Sequence, residues 1–398
     1  MTVLSPAKTE TSDTSRKIRV MIVDDALVAR GFVKRWVDAE PDLELVGSVR
    51  DGREAIDRLE QINPDVVVLD VEMPDVDGIT ALPQLLKKKP DLAIIMASTL
   101  TRRNAEISMK ALSLGALDCI PKPEASGRAA SQDFRNELIN KIRHLGGRRF
   151  GRRAPVRAPI PAIAPAAPLA RVEPSPALVP GHTPLVPSFS KPHHPPVTRP
   201  MPRLSPKVLL IGASTGGPQA LTEVVAHISK ISDRIPVLIT QHMPPTFTTI
   251  LAEHLTRVSN RVVREAVDGE TVVPGRMYLA PGGIHMRVKK RDGTTVIALD
   301  DSAPVHFCKP AVDPMFSSAA EIWGNGVLGV ILTGMGSDGT DGGAQIVAAG
   351  GAIIVQDEET SVVWGMPGAA ADAGLCSAIL PLKDIAPKIV KVFSGERQ

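Results

Sequence analysis

A chain of 398 residues, 43% hydrophobic and 22% charged, is long enough for two domains of ordinary size, and its composition argues against both disorder throughout and a membrane protein. A net charge of +3 is too small for a chain built mainly to bind nucleic acid. Cys119, Cys308 and Cys376 are widely separated and odd in number, which fits reduced thiols in the cytoplasm and supplies no zinc pattern. Residues 1–17 are polar with no apolar signal core, and no stretch approaches the roughly 20 apolar residues of a membrane helix, so a soluble cytoplasmic protein without membrane insertion is expected.

From 17 to 145, short apolar runs at 18–23, 43–48, 66–69, 92–96 and 116–120 alternate with amphipathic stretches such as 26–37 and 53–61. Strand and helix in strict alternation imply a parallel sheet covered on both faces, and five such units make a doubly wound α/β domain. Residues 146–206 change character, with frequent prolines, several arginines and no sustained periodicity, and read as a basic, extended linker. Its arginines (Arg148, Arg149, Arg152, Arg153, Arg157) either dock on an acidic surface or keep the segment solvated. Alternation resumes over 207–396. Strands are expected at 208–211, 236–240, 277–280, 327–332, 352–355 and 377–380, and helices at 218–228, 246–257, 341–349 and 383–393. The stretch 288–299 reads as a hairpin around Asp292 and Gly293, so the second domain is a mostly parallel doubly wound sheet with one antiparallel excursion.

Functional crevices of open α/β sheets lie at the carboxyl ends of the strands. In the first domain those positions hold Asp24 and Asp25, Asp70, Ser98 and Thr99, and Lys122, the last between Pro121 and Pro123, where the second proline is a candidate for an unusual bond. Three aspartates in one crevice repel one another unless a cation bridges them, and an oxygen-only set suits Mg²⁺. Lys122 adds positive charge, so the set can neutralise a phosphoryl group arriving on a carboxylate. Helix caps and solvated loop acids explain any one of these residues but not their joint placement at the strand ends.

In the second domain, Ser214 sits between Gly212 and Gly216 at the end of an apolar strand, the form of a nucleophile turn, although a helix cap with flexible glycines has the same pattern. A serine needs a positioned base held by a carboxylate. Of the later histidines, His227 and His254 fall inside predicted helices, whereas His242 follows the strand at 236–240 on the edge that carries Ser214. Asp338 lies in a glycine-rich turn after the strand at 327–332, as the third member or as a cap of the helix near Asp341. The order serine, histidine, aspartate separates the chain from the usual α/β-hydrolases, in which the acid precedes the histidine. Cys308, two residues after His306, is a further nucleophile candidate.

Two resemblances sharpen this reading. Residues 17–144, through Asp24, Asp25, Asp70, Ser98 and Lys122, resemble the receiver domain of two-component response regulators. That implies a flavodoxin-like sheet of order 2-1-3-4-5, Asp70 as phospho-acceptor, Mg²⁺ held by Asp24, Asp25 and Asp70 with the Glu72 carbonyl, and Ser98 and Lys122 as the switch pair. Cys119 stands where many receivers carry an aromatic residue, which removes an aromatic rotamer switch. The segments 212–217, 241–244, 279–285 and 332–339, in that order, make the whole chain similar to the chemotaxis response-regulator methylesterase family. The resemblance implies Ser214, His242 and Asp338 as a catalytic triad, and oxyanion donors in the turn of Thr215, Gly216 and Gly217. It also implies no cofactor in the catalytic domain, chemoreceptors as substrates and a chemotaxis histidine kinase as phosphodonor. By the same resemblance, His285 and the region of Asp313 are expected to line or support the site, with Ala311 where relatives often carry a hydroxyl. An idle second domain acting as a phosphorylation-controlled scaffold is the alternative from another class, and methyl-labelled receptor membranes separate the two.

Overall fold

The computed structural model describes residues 16–122, 128–147, 198–201 and 206–394. Pro123 and almost all of the proline-rich stretch lie outside them. Among the described residues, no helix is long and apolar enough to cross a membrane.

The first unit runs β1 (Ile18–Val23), α1 (Leu27–Asp38), β2 (Leu43–Val49), α2 (Gly52–Ile62), β3 (Val66–Asp70), α3 (Gly78–Lys88), β4 (Ala93–Ser98), α4 (Arg102–Ser113), β5 (Asp118–Pro121), α5 (Arg128–Gly147). Its five strands are all parallel, in the expected order β2-β1-β3-β4-β5. The central strands β3 and β4 are buried along their whole length, as their unbroken Val/Ile/Leu character requires between two helical layers. Three helices start at side-chain caps: Asp51 accepts from the Glu54 amide, Asp77 from Thr80 and Thr101 from Asn104.

The second unit runs β6 (Val208–Ala213), α6 (Gly217–His227), α7 (Ser229–Ser232), β7 (Val237–Gln241), α8 (Phe247–Ser259), β8 (Val263–Glu265), β9 (Met277–Leu279), β10 (His285–Arg291), β11 (Thr294–Asp300), α9 (Val312–Trp323), β12 (Val327–Ile331), α10 (Thr340–Ala348), β13 (Ala352–Gln356), α11 (Met366–Asp372), β14 (Cys376–Leu380), α12 (Leu382–Ser394). Seven strands form one sheet, β14-β13-β12-β6-β7-β9-β8, with every neighbouring pair parallel. The chain lays strands on one side of β6 first and then returns to fill the other side with β12, β13 and β14. In open α/β sheets such a reversal marks the place where a functional crevice forms, here beyond the carboxyl ends of β6, β7 and β12.

The antiparallel excursion is a separate two-stranded sheet of β10 and β11 rather than part of the main one. Its loop is Asp292 and Gly293, at φ 49° and 78°, as an Asp-Gly hairpin turn demands. It starts earlier than the alternation suggests and takes in His285. Four elements of this unit escape the sequence pattern: the one-turn α7, β8 with only three residues, α9, and α11. Helix α9 is apolar on most sides and has Pro314 in its first turn, where the missing N–H costs nothing.

The two units pack together. Met335, Val362 and Val363 of the second unit join an apolar cluster with Ile95, Ile120, Leu138 and Ile142 of the first. Helix α4 lies against α6 and α8. Gln219 of α6 donates to the carbonyls of Leu112 (3.2 Å) and Ala116 (2.6 Å), and Arg102 forks onto Glu253 at 2.8 and 3.1 Å.

Candidate active site and receiver site

At the carboxyl edge of the first sheet, Asp24 and Asp70 are buried and Asp25 is exposed, with carboxylate oxygens of all three within 4.8 Å of one another. Lys122 Nζ stands 2.7 Å from both Asp24 and Asp70. Burial pushes the Asp70 carboxyl up to about 6, with Asp24 reinforcing the rise and Lys122 opposing it. Burial also works against the charge on Lys122, but Asp70 and Asp24 outweigh it and raise its pKa. Gly78 is required here: a Cβ on it would lie 2.0 Å from the Asp70 carbonyl oxygen, so α3 closes on the end of β3 only without a side chain. Ser98 is buried at the end of β4 and its hydroxyl is 3.1 Å from that of Ser108 in α4, while Thr99 accepts from Asn104 (2.6 Å). Cys119 is buried in β5, and burial pushes its thiol up to about 12.

At the second crevice, Ser214 leaves β6 on a tight turn whose Gly216 has φ 76°. Gly212 is demanded by packing instead, since a Cβ there would lie 2.6 Å from Val312 of α9. His242 leaves the end of β7, and its Nε2 meets Asp338 Oδ2 at 2.7 Å. Its Nδ1 is buried without a hydrogen-bond partner among the described residues. Burial works against the imidazolium, but the neighbouring Cys308 sulfur and the Asp338 carboxylate outweigh it and raise the His242 pKa. Burial would raise Asp338, yet the bonds to His242 and to backbone amides hold it down at about 2.

Asp338 does cap a helix, but not the one near Asp341. Its oxygens accept from the amides of Val312 (2.6 Å) and Asp313 (2.9 Å), the free N-terminus of α9, as well as from Gly339 (2.9 Å). Cap and imidazole partner are thus the same carboxylate. Gly334 brings the β12 loop against the serine turn, where a Cβ would lie 2.9 Å from that of Ser214. Gly217 does not supply a free donor: its amide donates to the Ser214 carbonyl at 2.7 Å, which closes the turn and takes it out of the expected oxyanion set of Thr215, Gly216 and Gly217.

Other candidates separate from this group. His227 is exposed on α6, and His254 pairs with Thr222 at 3.1 Å. His306 lies 3.0 Å from Asp313 rather than serving Cys308, whose polar neighbour is His242. Burial and the nearby Asp338 raise Asp313 to about 7. His285 is fully buried and supports the site from behind, accepting from the Ala311 amide at 3.1 Å and bonding the Ala303 carbonyl at 3.2 Å.

Sequence reasoning missed three residues that hold the turns together. Gln241 donates to the carbonyls of Ser214 (2.9 Å) and His242 (3.3 Å), tying the two loops. Thr333 donates to the Thr215 carbonyl at 2.9 Å, and its own amide is fixed by Gln356 at 2.8 Å. Most consequential is Asp118 of β5, which accepts from the Thr215 hydroxyl at 2.7 Å and is gripped by the buried Lys141. A polar residue inside an apolar strand was the available signal.

Two family models match the chain: the response regulator receiver domain over residues 20–131 and CheB methylesterase over residues 209–389. A protein-glutamate methylesterase/protein-glutamine glutaminase of group 2 operon from Bradyrhizobium diazoefficiens is 60% identical over 398 residues, 98% of this chain and 98% of that protein. Its namesake from Rhodopseudomonas palustris is 59% identical over 381 residues, 96% and 95% of the two chains. The crystal structure of the Thermotoga maritima CheB methylesterase catalytic domain is 41% identical with a TM-score of 0.46, covering 48% of this chain and all of that one. With such identity sustained across both units, the chain belongs to the CheB methylesterase family, with a response regulator receiver domain ahead of the methylesterase domain.

Proposed function

We propose that the protein hydrolyses glutamate 5-methyl esters on chemoreceptors to glutamate and methanol, and deamidates receptor glutamines through the same intermediate type. The observation that carries this reading is the 2.7 Å bond between His242 and Asp338 beside the Ser214 turn. Because Nε2 is committed to Asp338, Nδ1 is the nitrogen left to take the Ser214 proton. Ser214 Oγ attacks the ester carbonyl, and the amides of Thr215 and Gly216 receive the oxyanion, at about 10²- to 10³-fold in rate per donor. Imidazolium then protonates departing methanol, and water, deprotonated by the same nitrogen, cleaves the acyl-Ser214 ester. Asp338 fixes the ring and stabilises its charge. No cofactor enters these steps.

Phosphorylation of Asp70 by a chemotaxis histidine kinase is the proposed control. Three carboxylates offering hard oxygen donors within 4.8 Å fit Mg²⁺ held by Asp24, Asp25 and Asp70. When bound, the ion offsets the negative charge of the acceptor and of the incoming phosphoryl group. Lys122 balances charge on Asp70, and Ser98 turns from Ser108 toward a phosphoryl oxygen. Lys122 directly follows β5, the strand whose Asp118 holds Thr215, so rearrangement at Asp70 bears on the oxyanion turn and loosens the receiver. We assign residues 17–145 to the receiver, 146–206 to a linker and 207–396 to the esterase. The free thiols Cys119, Cys308 and Cys376 fit the reducing cytoplasm.

Methanol release from methyl-labelled receptor membranes tests the reading. Ser214→Ala is expected to lower turnover by roughly 10⁴-fold or more with folding unchanged, and retained release would overturn the assignment.

A further inference from the structure

We propose that Phe307 anchors the protein substrate, by docking against an apolar side chain of the polypeptide that flanks the esterified glutamate. The proposal rests on the esterase reading above and names how that site holds its substrate.

Phe307 is the most exposed large apolar side chain among the described residues, at 103% of its reference area. It occupies the tip of a two-residue turn closed by the paired backbone bonds of Val305 and Cys308, at 3.1 and 2.8 Å. Both tip residues, His306 at φ 51° and Phe307 at φ 62°, lie in the left-handed region, which favours Asn, Asp and Gly and disfavours an aromatic residue. A bulky apolar residue kept in an unfavourable backbone state, with its ring in water, gains nothing for folding. Strain of this kind clusters at ligand clamps and persists where the surroundings enforce it.

The surroundings do enforce it. His306 is fixed to Asp313 at 3.0 Å, and Asp313 in turn accepts from the Gly342 amide at 2.7 Å, which binds the turn to both α9 and α10. On the other side Lys309 bonds Asp301 at 2.5 Å and its carbonyl accepts from Gly283 at 3.1 Å. The ring is therefore presented on a rigid mount rather than a loose loop.

Its position selects the occupant. The tip residue His306 is bonded to Asp313, and the amides of Asp313 and of Val312 beside it donate to Asp338, so the turn is mounted on the end of α9 that the Asp338 carboxylate caps. A polypeptide that delivers a glutamyl side chain to Ser214 carries flanking residues that can meet this turn, whereas a small blocked ester has no flanking chain to do so. An aromatic ring buries about 150–250 Å² when covered, and aromatic anchors beside a crevice dominate binding.

The test compares two substrates with one enzyme, stimulated by a small-molecule phosphodonor. Phe307→Asn removes the ring while keeping a residue that tolerates the left-handed region. With methyl-labelled receptor membranes, the KM of this variant should rise about tenfold or more with kcat within about twofold, whereas kcat/KM for a blocked glutamate 5-methyl ester should stay unchanged. Phe307→Trp should restore the low KM. An unchanged KM for receptor membranes overturns the proposal, and so does an equal loss on both substrates, which would make the turn a support of the triad. If the unsubstituted protein releases methanol from neither substrate, the esterase reading itself falls and takes the anchor with it.

Discussion

Asp338 carries two duties that a sequence offers only as alternatives. Its carboxylate closes the amino end of α9 and also holds the His242 ring, so replacing it tests both. For Asp338→Asn we expect kcat to fall by roughly 10³- to 10⁴-fold. The remaining activity should have its acid limb at lower pH. The sign follows from the charge: a carboxylate beside the ring favours imidazolium and raises its pKa, so a neutral amide lets the base become free at lower pH. A pH–rate profile of variant and parent checks this, and a limb shifted upward would contradict it. Ser214 and His242 were legible because both end apolar strands. Cys308 was not legible as a neighbour of His242, because the contact joins loops distant in sequence, and its adjacency to His306 pointed elsewhere.

At the scale of elements, periodicity located every strand of the two parallel sheets except β8 within a residue or two, and Asp292 with Gly293 announced the hairpin. Helix α9 stayed hidden because it is packed on several sides and so lacks a polar face to set a period. Yet α9 is what the site is built around. Its contact with β6 depends on Gly212, where a Cβ would lie 2.6 Å from Val312. Gly212→Ala should cost about 1–3 kcal/mol of stability through overpacking, read by urea unfolding of the intact chain. Because α9 would shift with Val312, activity of the folded fraction should fall as well. Unaltered stability and rate together would show that the helix yields freely.

For the whole molecule, each sheet could be read from its own stretch of sequence, but the way the two meet could not. Of the residues that join them, Asp118 and Gln219 lie in elements whose local patterns are satisfied without a partner, and Val363 lies in the loop between β13 and α11. Gln219 is the cleanest probe, since it bonds receiver carbonyls and takes no part in the chemistry. A hydrogen bond contributes about 0.5–1.5 kcal/mol, so Gln219→Ala should raise methanol release without phosphodonor by roughly three- to tenfold and leave the stimulated rate alone. Asp70→Asn should keep the basal rate and lose stimulation by a small-molecule phosphodonor. Stimulation that survives in Asp70→Asn would place the switch outside the receiver crevice.

The joint between the units has a consequence for the cell. It consists of a modest apolar cluster and a handful of hydrogen bonds, and every 1.4 kcal/mol of such contact changes the docked-to-undocked ratio only tenfold. Docking of that strength biases a population and never empties one of its states. If phosphorylation of Asp70 releases the receiver as proposed, the resting rate of ester removal has a floor set by how many copies of the enzyme are present, so abundance would fix the baseline from which each signal departs and phosphorylation only the height of the rise.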